Sequence, residues 1–134
     1  MSWPSWTMLE QQIRARAPHY GINPSFAVAI AALESGHGAQ MVGDDRSSFG
    51  PFQLHYGGHS RRFPHGGLGD SFTHSTGLHA WDPSSWQAQV DFALWCFEHG
   101  DGPQWSTYRK AVARAGSPMH GHVMHSPVRR IGRR

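Results

Sequence analysis

Apolar residues recur at helical spacing in four stretches of the chain, separated by glycine- and proline-marked breaks. The first helix is expected to open at Thr7, where "TMLE" sets a hydroxyl three places before Glu10 in the capping-box pattern, and to end by Pro18. Asn23 and Pro24 supply an N-cap and a first-turn proline for a second helix. Phe26, Ile30 and Leu33 share a face of that helix, Glu34 falls in its last turn, and Gly36 and Gly38 break it. Asp82 and Pro83 open a third, with Trp86, Val90, Leu94 and Phe97 spaced four, four and three apart before Gly100. A fourth runs from about Gln104 to Ala115, turns Trp105, Tyr108 and Val112 inward, and stops at Gly116 and Pro118. Between the second and third, residues 39–80 lack either period; they read as a short irregular hairpin followed by a long surface loop.

The pattern predicts a mainly α fold, helical with a small β-hairpin and loop excursion between helices 2 and 3, over residues 1–118. The remainder, 119–134, has no period and reads as a basic C-terminal tail. Seven of the twelve Lys and Arg residues lie from Arg109 onward, and no acidic residue does. Such a tail suits polyanions: cell-wall polymers, outer-membrane phosphates, nucleic acid or anionic lipid. With 134 residues one core is expected, and no run of 18 apolar residues is present. The N-terminus lacks the basic start and apolar centre of a secretory signal, so a soluble protein made in a reducing cytoplasm is expected. Cys96 is the single cysteine, which excludes a disulfide within the chain; among Phe92, Trp95 and Phe97 it reads as core rather than nucleophile.

The candidate chemistry lies in the excursion. A glutamate in the last turn of a helix faces the negative end of the macrodipole, where Lys, Arg or His is the ordinary choice. Partial burial against aromatic neighbours would penalise its charge further and raise its pKa, as a proton donor to a leaving oxygen requires. Gly36, Gly38, Gly43 and Gly50 allow sharp turns that fold Asp44, Asp45, Ser47 and Ser48 back across a cleft from Glu34. Either aspartate has a bland alternative as a turn-capping residue.

Acid, glycine break, paired aspartates and a turn ending in glutamine follow one another in residues 32–55 as Glu34-Ser35, "GDDR" at 43–46 and "FGPFQ" at 49–53. This order resembles the lysozyme-like superfamily, in particular goose-type lysozymes and soluble lytic transglycosylases. The resemblance implies an α+β lysozyme-like fold with a sugar-binding cleft and cleavage of the β-1,4 bond between N-acetylmuramic acid and N-acetylglucosamine. It makes Glu34 the catalytic acid, with Asp44 or Asp45 holding a water, while Ser35, Gly50, Gln53, His55 and Tyr56 shape or line the substrate site. Pro51 and Phe52 depart from the family's usual Leu and Met, His55 stands where goose-type sequences tend to carry an aspartate, and the transglycosylases' later tyrosine motif is absent.

An inverting hydrolase needs a second carboxylate roughly 6.5–9.5 Å from the first, which a hairpin aspartate can supply; a lytic transglycosylase closes a 1,6-anhydro ring with the glutamate alone. The paired aspartates favour hydrolysis. A third reading keeps the scaffold as a non-catalytic glycan-binding domain. By analogy the resemblance suggests a phage endolysin or virion-associated muramidase, monomeric, held in the host cytoplasm before release to the wall or carried in the virion, with peptidoglycan strands as partner.

The eleven histidines, including His55, His59, His65, His74 and His79, show no compact ligand spacing, so neither metal nor cofactor is expected. Among the six tryptophans, Trp86, Trp95 and Trp105 have core spacing, whereas Trp3, Trp6 and Trp81 are the candidates for exposure. No nucleic-acid fold motif accompanies the aromatic and basic residues.

Overall fold

The computed structural model describes residues 2–57 and 66–119. Five α-helices and one small antiparallel sheet account for the regular structure there: α1 (Trp6–Arg16), α2 (Pro24–Ser35), β1 (Val42–Gly43), β2 (Ser48–Phe49), β3 (Leu54–His55), α3 (Leu68–Thr76), α4 (Trp86–Glu98) and α5 (Tyr108–Ala115). Three 3-10 turns, Ala17–Tyr20, Pro83–Ser85 and Gly102–Gln104, bend the chain between helices. The sheet has the order β1-β2-β3, with Val42 opposite Phe49 and Ser48 opposite His55. It stands between α2 and α3, so the extended excursion after the second helix is a sheet.

Helix α1 begins earlier than its sequence suggests. Ser5, not Thr7, is the N-cap, its Oγ accepting from the Met8 N–H (3.1 Å), which leaves Glu10 to bind Arg14 one turn on (3.1 Å) rather than close a capping box. Leu9 and Ile13 are fully buried on its inner face, and Arg16 reaches α4 through Asp91 (2.9 Å). Helix α2 starts as expected: Asn23 Oδ1 accepts from the Ser25 N–H (3.0 Å), with Pro24 first in the helix. The same asparagine donates its Nδ2 to the carbonyls of Ala115 and Ser117, and its N–H to Pro118 O. The chain leaving α5 is thereby held against the start of α2, and Met119 pairs with Ile22 in an isolated bridge. The attached body thus reaches one residue past Pro118; the basic residues 129–134 lie outside the described residues.

Aromatic side chains join the elements in the core. Phe97 of α4 meets Phe26 of α2 edge-on at 5.1 Å, Phe52 of the 50–53 turn at 5.9 Å and Trp105 at 5.0 Å, geometries that the ring quadrupole favours. Trp105, nearly fully buried, also donates its indole N–H to Phe52 O (2.8 Å). The turn carrying Gly50 and Gln53 is therefore bolted to α4 and to the approach of α5.

Two larger expectations fail here. Helix α3 occupies part of the segment expected to be a long loop. Its nine residues are rich in Gly, Ser, Thr and His, poor helix formers; tertiary contacts hold it instead. Phe72 is fully buried against Phe92 (5.5 Å), and Gly69 lets the Tyr56 ring lie where a Cβ would come within 2.7 Å of it. Asp70 accepts from the N–H groups of Gly57 (3.0 Å) and Gly67 (2.9 Å), closing both sides of the segment 58–65, which lies outside the described residues together with its His59 and His65. Asp70→Ala removes the charged acceptor of both N–H groups and is expected to destabilise the fold by about 2 kcal/mol, read as a lowered urea midpoint with unchanged slope.

The second failure concerns Trp95, expected in the core but 47% exposed. Leu94 and Phe97 set the buried face of α4, and the position after Leu94 is turned about 100° away from it. Trp105 is packed as expected and Trp81 is exposed, whereas Trp3 and Trp6 lie partly against the core. The last helix starts at Tyr108 rather than Gln104, because a 3-10 turn takes up Gly102–Gln104.

Candidate active site

Glu34 is delivered by the way α2 ends. Gly36 adopts the left-handed conformation (φ 58°) and returns its N–H to Ala32 O. Ser35 is fully buried; its hydroxyl donates to Ala31 O (2.8 Å) and accepts from the Gly38 N–H (2.9 Å). This serine thus fixes the turn after the glutamate, and its hydroxyl is occupied by that task.

The Glu34 carboxyl is half-buried. Its Oε2 accepts from Thr107 Oγ1 at 2.5 Å. Thr107 sits in the N-cap position of α5 and makes no side-chain cap for that helix: its hydroxyl, ordinarily spent on the helix's own N–H groups, is given to Glu34. The carboxyl pKa is raised, chiefly because burial penalises the charged form; the Thr107 hydrogen bond opposes the rise, and the negative charge of Asp44 adds to it. Thr107→Val removes the group that favours the anion. The Glu34 midpoint is expected to move further up, and with it the alkaline limb of any pH–rate profile; a limb that stays or moves down contradicts the assignment.

Asp44 reaches this field from the tip of the β1–β2 hairpin. Asp44, Asp45 and Arg46 have φ of 51°, 54° and 71°, three consecutive non-glycine residues in the left-handed region. Aspartate tolerates that region better than most residues, yet such a run is strained. The Arg46 and Ser47 N–H groups hold it by donating to Gly43 O. Ser48, buried, donates its hydroxyl to Asp44 Oδ2 (2.6 Å), and Ser47 donates to Asp44 O (2.7 Å). Both hydroxyls also lie against His55 Nδ1, at 3.0 and 3.2 Å. Each serine has one hydrogen and has spent it on Asp44, so His55 Nδ1 carries the hydrogen that both accept. The result is a chain of donors running His55 to Ser48 to Asp44. No side-chain hydrogen bond holds Asp45 among the described residues.

Gly50 (φ 87°) makes the turn, and a Cβ on it would meet Gln89 Oε1 at 1.9 Å. Gln53, itself at φ 50°, folds its amide beneath the hairpin, Nε2 donating to Gly50 O (3.0 Å) and Gln40 O (3.2 Å). Its Oε1 lies so close to Gly43 that a Cβ there would sit 2.4 Å away. Gln53 therefore ties β1 to the turn. Tyr56 faces elsewhere, its hydroxyl bonded to Thr73 Oγ1 (2.8 Å) and to the Ala80 N–H (2.9 Å).

The structure thus brings Glu34 within the field of Asp44, and His55 next to the aspartate. Ser35, Gly50 and Gln53 serve as the frame, and Tyr56 belongs to the α3 side. Sequence reading missed Thr107 and Gln89, and it placed Ser48 in the hairpin without the bond to Asp44 that the structure gives it. A threonine that begins a helix was a visible signal for the first, although nothing in one dimension places it beside a residue 73 positions earlier. Burial and the nearby Asp101 push the Cys96 thiol up to about 12, which suits a core thiol and not a nucleophile. Among the described residues no cluster of three or more His, Cys, Asp or Glu is arranged to hold a metal, and no helix is long and apolar enough to cross a membrane. Comparison of the chain with protein-family models, curated proteins and solved structures gives no match. The reading of the site accordingly rests on its geometry.

Proposed function

We propose that the protein is a peptidoglycan-cleaving muramidase of lysozyme-like architecture, with Glu34 as general acid. The observation that carries the reading is a helix-terminal carboxyl, half-buried, bonded by the Thr107 hydroxyl and raised in pKa by burial and by the charge of Asp44 on a strained hairpin. Protonated Glu34 donates its hydrogen to the glycosidic oxygen as the bond to the muramic acid C1 breaks. Asp44, oriented by Ser48, takes a proton from a water whose oxygen bonds to C1 on the opposite face. Solvent then returns the proton to Glu34 and removes the one on Asp44. Asp44 fits the second role better than Asp45, because its charge acts on Glu34 and Ser48 holds its carboxylate.

Mass spectrometry of digested, purified sacculi tests the reading. Reducing-end muramic acid with incorporation of labelled water oxygen is expected. The 1,6-anhydro product would replace hydrolysis by the transglycosylase route, and no fragments at all would leave a glycan-binding module. Asp44→Asn separates the first two within one scaffold: hydrolysis is expected to fall at least about 100-fold, whereas anhydro formation, needing Glu34 alone, would persist.

The basic residues from Arg129 onward are assigned the task of retaining the protein on anionic wall polymers or outer-membrane phosphates. Truncation after Met119 keeps the contacts to Ile22 and Asn23. It should leave cleavage of soluble substrate intact while weakening wall retention at low salt and less so at high salt. Retention equal to that of the full chain at low salt would remove the tail from the account.

A further inference from the structure

A cavity of about 790 Å³ opens between α3 and α4, lined by residues of both helices, by Tyr56 and Trp81, and by Asp101 and Gln104 beyond the end of α4. Glu34, Asp44, Gln53 and Thr107 are not among its lining residues. Its walls differ from ordinary surface in one respect: two tryptophans, Trp81 and Trp95, line it while remaining 50% and 47% exposed. Large apolar faces left in water are costly unless something covers them.

Both indoles are held flat by a histidine ring. His79 stacks on Trp81 at 4.2 Å with the planes 10° apart, and His99 on Trp95 at 4.0 Å and 28°. His99 is fixed in turn, because its Nδ1 lies 2.9 Å from Trp95 O, a carbonyl that can only accept, so Nδ1 is the donor. His99 is not part of the lining, whereas the Trp95 indole that it stacks on is. Phe49 packs edgewise on Trp81 at 6.4 Å, and the Tyr56 ring lies tilted against it at 5.3 Å. The same lining carries the polar side chains of Ser71, Ser75, His74 and Gln104, and the His79 ring as well.

Fixed aromatic planes that share a cavity with hydroxyl, imidazole and carboxamide groups match the surface of a sugar. The C–H face of a pyranose lies on an indole, and its equatorial hydroxyls and acetamido group meet the polar side chains. We propose that this cavity is a saccharide-binding site separate from the Glu34 carboxyl, taking a short run of β-linked N-acetylhexosamine units. The choice of that sugar rests on the muramidase reading; the site itself does not. It would keep the enzyme on a glycan strand between cleavages.

The test uses N-acetylglucosamine tetramer as probe and the Glu34→Gln chain as a non-cleaving host, followed by NMR. The indole N–H resonances of Trp81 and Trp95 are expected to shift on titration. Trp95→Ala, at a half-exposed position, is expected to weaken this binding about tenfold with an unchanged thermal midpoint, Gln104→Ala less, and Trp95→Phe should retain most of it. Shifts confined to residues around Glu34 and Gln53, or equal affinity in Trp95→Ala and its parent, would overturn the site. Saccharide bound at Trp95 by a wild-type chain that leaves sacculi uncut would sink the muramidase reading while this site stands. Turnover with no binding at Trp95 would do the reverse.

Discussion

Glu34→Gln is expected to lower the rate of release of glycan fragments from purified sacculi by about 10³-fold, within the range of 10² to 10⁴ for a positioned general acid. Glutamine keeps the shape of the side chain and can still accept from Thr107, so glycan affinity should survive while turnover does not. The same substitution has a second, independent signature. The raised pKa of Glu34 means that ionising it costs more in the folded chain than in the unfolded one. At a pH below the unfolded value both states hold the proton and nothing is lost; as the pH climbs through the folded value the penalty becomes complete. Glu34→Gln should therefore raise the thermal midpoint at pH 7 relative to wild type, with the advantage shrinking toward pH 4. A catalytic loss coupled to a pH-dependent gain in stability is the mark of a carboxyl held for chemistry rather than for the fold.

Gly50→Ala should be the most damaging single methyl that can be added to the frame of the site. Its φ of 87° is unfavourable for any side chain, and the new Cβ would come within 1.9 Å of Gln89 Oε1 and 2.8 Å of Cδ. Gln89 has no easy retreat. It is fully buried, and its Nε2 is bound to Ala80 O and Ser85 Oγ, both at 3.0 Å. Among the described residues its Oε1 has no hydrogen-bond partner, and the Gly50 Cα–H points at it. Backbone strain and the displaced amide together should cost about 3–5 kcal/mol, lowering the thermal midpoint by about 10 °C or more. Gly77→Ala is the control: its φ is 76°, yet among the described residues a Cβ there meets nothing within 4 Å. It should lose only the backbone share, about 1 kcal/mol. Equal losses at the two positions would show that Gln89 moves freely and that the turn is not rigidly seated.

What could be read in one dimension was the local chemistry. Asn23 and Pro24 announce α2, Gly36 ends it, and the placement of Glu34 against the usual charge preference marks it without reference to any neighbour. The glycine at position 50 is legible for a similar reason, because a turn between short apolar runs needs a residue free to take positive φ. Contacts made across the chain were not legible. Thr107 looks like any helix-starting threonine until the fold sets α5 beside the end of α2 and its hydroxyl turns from its own helix to Glu34. Helix α3 has a composition that argues against a helix; Phe72 in the core and Asp70 at its start outweigh it. Trp95 misled because its hydrophobicity was weighed without its direction: the periodic face runs through 86, 90, 94 and 97, and one step from Leu94 is enough to leave it. The choice of Asp44 over its neighbour also depended on the hairpin: both aspartates are exposed at its left-handed tip, and Ser48 bonds the carboxylate of Asp44.

A carbon NMR titration of the Glu34 carboxyl, by selective glutamate labelling with Glu34→Gln to assign the signal, measures directly whether that hydrogen is held. The account predicts a midpoint above the usual glutamate value of 4.5, moving down in Asp44→Asn as the nearby negative charge is removed. A midpoint at or below that value, indifferent to residue 44, would contradict it.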